Sequence, residues 1–216
     1  RSLAVAFVVA TIFYNSGNYG LTVIELVFGE DSPAVDLQAL VLTSQNVLSF
    51  TIGAFFISTG ARSVRDSLRK VAGYPILPAV VGALAFRLFD VPLPTFVDVP
   101  LARMASSLAP IGLATLGAQL ANVTQIGRLL PLFGASVLRL CVGPALGLLL
   151  IHLTGMRGLL AQVLLISSSV PTAVNSAILS IEFDAEAEFA SQAVVLSTVL
   201  SMVTVSVVVA LALRMF

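Results

Sequence analysis

The sequence predicts an all-α integral membrane protein with seven spans. Three observations predict it: an apolar composition, seven long apolar runs, and two of those runs interrupted by polar and small residues. Hydrophobic residues make up 58% of the 216 and charged residues 10%, with a mean hydropathy of +1.04, whereas soluble domains carry about 25% charged residues. Too little polar material remains to cover a soluble globule. The formal net charge is zero, and Arg and Lys are spread between the apolar runs instead of gathered in a stripe, which argues against nucleic acid. The one cysteine, Cys141, lies in "VLRLCVGPALGLLL" and leaves no disulfide framework and no cysteine-based metal site. It reads as a small buried apolar residue.

Runs near the 20-residue length of a membrane helix lie at 3–28, 37–59, 71–89, 101–121, 129–153, 159–182 and 189–213. The links between them, such as "GEDSPAVD", "GARSVRDSLRK" and "EFDAEAE", leave no room for a soluble domain. Whatever the chain does, it does in the bilayer. It opens at Arg1 without a charged leader and cleavage site ahead of the first apolar run, so it reads as part of a longer protein. Arg62, Arg65, Arg69 and Lys70 form the strongest basic cluster; by the positive-inside rule that loop is cytoplasmic, and alternation puts Arg1 and Arg128 on the same side.

An internal repeat follows. "FGEDSPAVDLQALVLTS" from Phe28 and "FDAEAEFASQAVVLST" from Phe183 each place an acidic link before Gln, Ala, Val, Leu and hydroxyl residues. Upstream of each lies an interrupted span, "NSGNYGLT" in the first run and "SSSVPTAVNSA" in the sixth, and these two runs cross in opposite directions. In lipid an unpaired polar group costs several kcal/mol, so such segments face protein or a water-filled cavity. Gly17 and Gly20 let the first run leave helical geometry, with Asn15, Ser16 and Asn18 able to bond the groups released. In the sixth run Pro171 removes a backbone donor, with Ser167, Ser168, Ser169, Thr172 and Asn175 nearby as replacements. Close helix packing through small residues is the competing reading of either segment alone. An inverted repeat with one broken helix per half points instead to a binding site at the midplane of a secondary transporter.

The stretches "NSGNYGLTVIELVFG", "SSLAPIGLATLGAQLA", "SVLRLCVGPALGLLL" and "SSSVPTAVNSAILSIEFDAEAEFASQAVVLSTVLSMVTV" together resemble the auxin efflux carrier family. That family takes in the plant auxin carriers and bacterial carriers of malate and related organic acids, with a fold similar to the bile acid sodium symporters. The resemblance implies ten spans in two inverted five-span repeats with two broken crossover helices. Residues 1–59 would be the last two spans of the first repeat, 60–70 a cytoplasmic basic linker, and 71–216 the second repeat. It also implies a multi-pass protein of the cell membrane, most simply the bacterial inner membrane. The family's first crossover carries Asn-x-Gly-x-x-Gly-Leu-Pro; here Thr22 stands where the proline is usual, which predicts a softer break.

The candidate substrate-binding residues are therefore Asn15, Gly17, Asn18, Gly20, Pro171, Thr172 and Asn175. Glu25 and Arg139 are candidates for coupling or charge balance, because an ionisable residue within an apolar run is a functional hypothesis by default. Glu25 also reads as a solvated span end, and Arg139 as a donor to carbonyls beside Pro144 or as a snorkelling side chain. Gln45, Asn46 and Gln119 could line a cavity or bond between helices, and His152 reads as interfacial. The sequence holds no paired mid-span aspartates, Ser and His pair, or H-E-x-x-H, so it does not read as an enzyme. No cofactor or metal is expected. The partners expected are the bilayer and a small organic anion, with proton or sodium as the candidate coupling ion and a homodimer as the candidate assembly. The leading reading is an efflux carrier of a small carboxylate; the alternative is a non-transporting membrane receptor or scaffold that binds a small ligand.

Overall fold

The computed structural model describes residues 2–49, 76–89, 91–107, 128–182 and 186–216, together with 111, 114 and 118. Among them the regular structure is helical, and the single β-type pairing is an isolated antiparallel bridge between Tyr14 and Thr172. The basic linker 60–70, Gln119, the second half of the run at 37–59 and most of the run at 101–121 lie outside the described residues.

The first apolar run forms α1, Ser2–Ile12, and then leaves helical geometry at residues 13–15, with Asn15 at φ −83° and ψ 65°. It resumes as a wide π-helical turn, Ser16–Leu21, continuous with α2, Thr22–Phe28. The break forms without the family's proline. Gly29 at φ 90° ends α2, and Ser32 caps α3, Pro33–Leu48, its hydroxyl accepting from the Ala34 amide at 3.3 Å with Pro33 in the first turn. Two further helices follow, α4 (Ile76–Leu88) and α5 (Thr95–Ser106).

The next run is α6, Leu129–Val137, a π-helical turn at Leu138–Val142 and α7, Gly143–Thr154, a continuous helical stretch of 26 residues. Pro144 cannot donate to the preceding turn and its ring crowds that turn's carbonyl; the widened turn just upstream relieves both demands. Gly155, at φ 69°, closes α7 with bonds from its own amide to His152 O and from Met156 N to Ile151 O, a Schellman-type end. The sixth run divides into α8, Gly158–Ser169, and α9, Val174–Glu182. Val170, at ψ 154°, is extended as the residue before a proline must be. The last helix, α10, runs unbroken through Ala187–Met215.

Among the described residues the stretches 129–154 and 187–215 are long and apolar enough to cross a membrane, and Leu3–Ile12 and Gly158–Ser169 are shorter apolar helices. Large apolar side chains stand fully outward, among them Leu26, Leu130, Phe96 and Val203, which suits a lipid solvent and not water. Cys141 is exposed on this outer surface, correcting its reading as a buried residue: the widened turn directs Arg139 and Leu140 inward and leaves Cys141 outside. Inside, one apolar cluster joins α2, α3, α7, α8 and α10 around Ile24, Ala34, Ile151, Ala161 and Ala212. A second joins α1, α6 and α10 around Ala6, Ala10, Leu132, Phe189 and Ala193. Both are rich in alanine, which lets helix axes approach closely where lipid supplies no hydrophobic drive between helices.

Candidate functional site

The two breaks meet each other. Asn15 N donates to Pro171 O at 2.8 Å and Ala173 N to Phe13 O at 2.9 Å, so the two interrupted helices pair backbone to backbone, antiparallel, where they cross. Each break frees groups that lipid cannot satisfy, and each answers part of the other's demand.

The remaining groups are met by neighbouring helices. From α3, Gln45 Nε2 donates to Tyr14 O at 2.5 Å while its Oε1 accepts from Ser16 Oγ; about two turns earlier Gln38 Nε2 donates to Ser16 O at 2.7 Å, and its Oε1 accepts from Ser167 Oγ on α8. From α10, Ser197 Oγ accepts from Thr172 N at 3.1 Å. Thr172 Oγ1 donates to Ala10 O at 2.8 Å, closing the end of α1. Arg139 donates to Val170 O at 3.1 Å, to Thr11 O at 3.4 Å and to Ser168 O. Thus each broken segment is held by the helix that follows its acidic link, α3 for the first and α10 for the second.

A cavity of about 200 Å³ lies at the crossing. It is lined by residues 14–18 of the first break, by Leu42, Gln45 and Asn46 of α3, and by residues 173–175 at the start of α9. The structure therefore brings together Asn15, Gly17, Asn18 and Asn175 of the candidate residues, and adds Gln45 and Asn46. Asn175 Nδ2 donates to Asn46 Oδ1 at 3.2 Å. Asn15 is buried, and among the described residues its Nδ2 has no hydrogen-bond partner. The first amides of α9 also lie at this wall, and the first turn of a helix has no intrahelical partners for its N–H groups.

The other candidates sit apart from the lining. Pro171 and Thr172 are buried behind it in the backbone crossing. Gly20 is one turn beyond, and its role is space: a Cβ there would stand 2.7 Å from Gln38 Nε2, as one on Gly17 would stand 3.0 Å from Leu42 Cδ1. These glycines lie inside the π-helical turn, so they serve close approach, while residues 13–15 carry the departure from helical geometry. Asn15 and Asn18 side chains do not bond the freed backbone; Gln38, Gln45, Thr172 and Arg139 do. Glu25, partly buried on α2, does not line this cavity, and His152 is exposed in the last turn of α7.

Sequence reasoning passed over Tyr14 and Gln38. Tyr14 lines this cavity and two more apolar ones, of about 410 and 500 Å³, so this one residue borders all three. Its position immediately before Asn15 was the available signal. Gln38 is the residue aligned with Gln192 in the internal repeat, and it is fully buried.

Two interrupted apolar helices, crossing at a polar cavity within an outwardly apolar helical fold, form the kind of site found in membrane transporters. The chain belongs to the membrane transport protein family, whose model matches residues 61–209. It is also similar to an "Uncharacterized transporter" of Methanothermobacter thermautotrophicus, 26% identical over 198 residues, which are 91% of this chain and 64% of that relative. The chain thus spans just under two thirds of the length of the relative it matches.

Proposed function

We propose that the chain is the greater part of a secondary transporter that exports a small organic anion such as a carboxylate, by alternating access around the crossing of α1–α2 and α8–α9. Residues 1–59 then close a first inverted repeat, 60–70 link the repeats on the cytoplasmic side, and 71–216 form a second five-span repeat of a ten-span carrier in the bacterial inner membrane. The observation that carries this reading is the cavity of about 200 Å³ whose walls come from both breaks, with the buried Asn15 Nδ2 beside it left without a partner among the described residues.

An anion suits these walls for physical reasons. The N-terminal ends of helices carry roughly half a positive charge, and α9 and the turn after Asn15 both begin at the cavity. Asn15, Asn18 and Asn175 supply side-chain donors once their amides turn toward the ligand. Gly17 keeps the backbone within reach. The volume favours a small ion over a drug-sized ligand. Glu25 remains the candidate for proton coupling.

Flux of radiolabelled malate and other small carboxylates in proteoliposomes holding the full-length protein tests the proposal. Saturable flux of one of them supports it. Binding without flux would transfer support to the receptor reading, and absence of both would remove the anion site.

A further inference from the structure

Arg139 is a buried cation outside the anion cavity. Its Nε donates to Val170 O at 3.1 Å, one Nη to Thr11 O at 3.4 Å and the other to Ser168 O, and its Cζ lies 5.0 Å from the centre of the Tyr14 ring. Thr11 and Ser168 belong to the last turns of α1 and α8, and Val170 follows α8 directly. These are the two half-helix ends that precede the breaks, where carbonyls lack intrahelical partners and partial negative charge gathers. Among the described residues no carboxylate pairs with Arg139.

The surrounding backbone is shaped for this contact. Gly143 and Gly147 sit four apart on α7; a Cβ on Gly147 would stand 2.8 Å from Ser168 Cβ, and one on Gly143 would stand 3.1 Å from both Ser168 O and an Arg139 Nη. Only bare backbone at these positions lets the end of α8 come close enough for its carbonyls to reach the guanidinium.

In transporters with discontinuous helices, unwound carbonyls and half-helix C-terminal ends of this kind coordinate sodium. We propose that Arg139 is the resident cation of the crossing. Its guanidinium permanently takes the place that a free monovalent cation would take among the carbonyls of residues 11, 168 and 170. No sodium binds there, and a sodium gradient does not couple through this point. A planar fork with five donors suits several carbonyls at once, which an ammonium on a single point does not. The inference rests on the crossing geometry and not on the identity of the substrate.

The test is the melting temperature of the purified full-length protein in sodium chloride and in choline chloride at equal ionic strength, with methylguanidinium as the probe. The wild type is expected to melt alike in both salts. Arg139→Ala is expected to melt lower by roughly 5–10 °C, to regain most of that loss saturably with methylguanidinium, and to acquire a stabilisation by sodium that the wild type lacks, as binding to the folded state alone requires. Arg87→Ala, which removes an exposed arginine, is expected to show neither effect. Saturable stabilisation of the wild type by sodium would overturn the proposal, as would a loss in Arg139→Ala that neither cation repairs. Should Arg139→Ala yield no folded protein, radiolabelled sodium binding to the wild type decides: none is expected, and saturable binding displaced from the crossing would refute it. None of these readouts involves the transported anion, so they stand or fall apart from the flux experiment.

Discussion

Gly20→Ala places a methyl group where the structure has none to spare. The added Cβ would lie 2.7 Å from Gln38 Nε2, well inside van der Waals contact, and 3.4 Å from Asn15 O. Gln38 cannot simply swing aside. It is fully buried, its Nε2 donates to Ser16 O at 2.7 Å and its Oε1 accepts from Ser167 Oγ, so moving it releases two bonds that hold the first break and tie it to α8. Overpacking costs about 1–3 kcal/mol and each buried group left unsatisfied about 1–3 kcal/mol; because relief of one incurs the other, a total of roughly 2–4 kcal/mol is expected. For a chain of this size that is a fall of roughly 5–15 °C in melting temperature. Gly82→Ala is the control, since among the described residues nothing lies within 4 Å of a Cβ there and alanine is the better helix former. The sharper assay is a double-mutant cycle by thermal melting. Gln38→Ala alone loses both bonds, but in Gly20→Ala/Gln38→Ala the clash is gone, so the double variant is expected to melt close to Gln38→Ala alone. Additive losses, or a Gly20→Ala protein that melts like wild type, would refute the reasoning.

Other substitutions separate ligand binding from folding. Asn15→Ala removes a buried donor that has no partner among the described residues, so the melting temperature is expected to stay level or rise while carboxylate affinity falls by about 1–3 kcal/mol, read by calorimetry. Gln45→Ala strips the bonds to Tyr14 O and Ser16 Oγ and is expected to lower melting temperature and affinity together. Arg128 caps α6 at φ 50° and pairs with Glu186 at 3.3 Å on the surface; Arg128→Gly loses an ion pair of at most about 1 kcal/mol and relieves the left-handed backbone, so its melting temperature should stay within a few degrees of wild type. Expressed alone, the 216-residue chain is expected not to transport at the rate of the full-length carrier; equal initial rates in matched proteoliposomes would contradict this.

The position of both breaks was legible because polar residues in an apolar run are costly and therefore visible. "NSGNYGLT" and "SSSVPTAVNSA" stood out for that reason, and Pro171 marked the second break, lying just past Val170, the residue that follows the end of α8. What each residue does at the crossing was not legible, because it depends on partners far away in sequence. Arg139 reaches a carbonyl 128 positions away and Ser167 an amide 129 positions away, and no local pattern announces either contact. The glycines illustrate the same limit. Their freedom of φ suggested that they form the break, whereas Gly20 is required by the proximity of Gln38, a residue of another helix. Cys141 was misjudged because a widened turn shifts the helical register by one residue, and the sequence showed only an unbroken apolar stretch around Pro144.

The central claim is that the crossing holds a carboxylate through donors from both breaks. The most direct test is equilibrium affinity of the full-length carrier for the carboxylate that shows the strongest counterflow, measured for Asn15→Ala, Asn18→Ala and Asn175→Ala beside their melting temperatures. Each substitution is expected to weaken binding about tenfold to a hundredfold, the scale of losing a hydrogen bond to a charged group, with Asn15→Ala losing no thermal stability. Unchanged affinity at all three asparagines in folded protein would contradict the account.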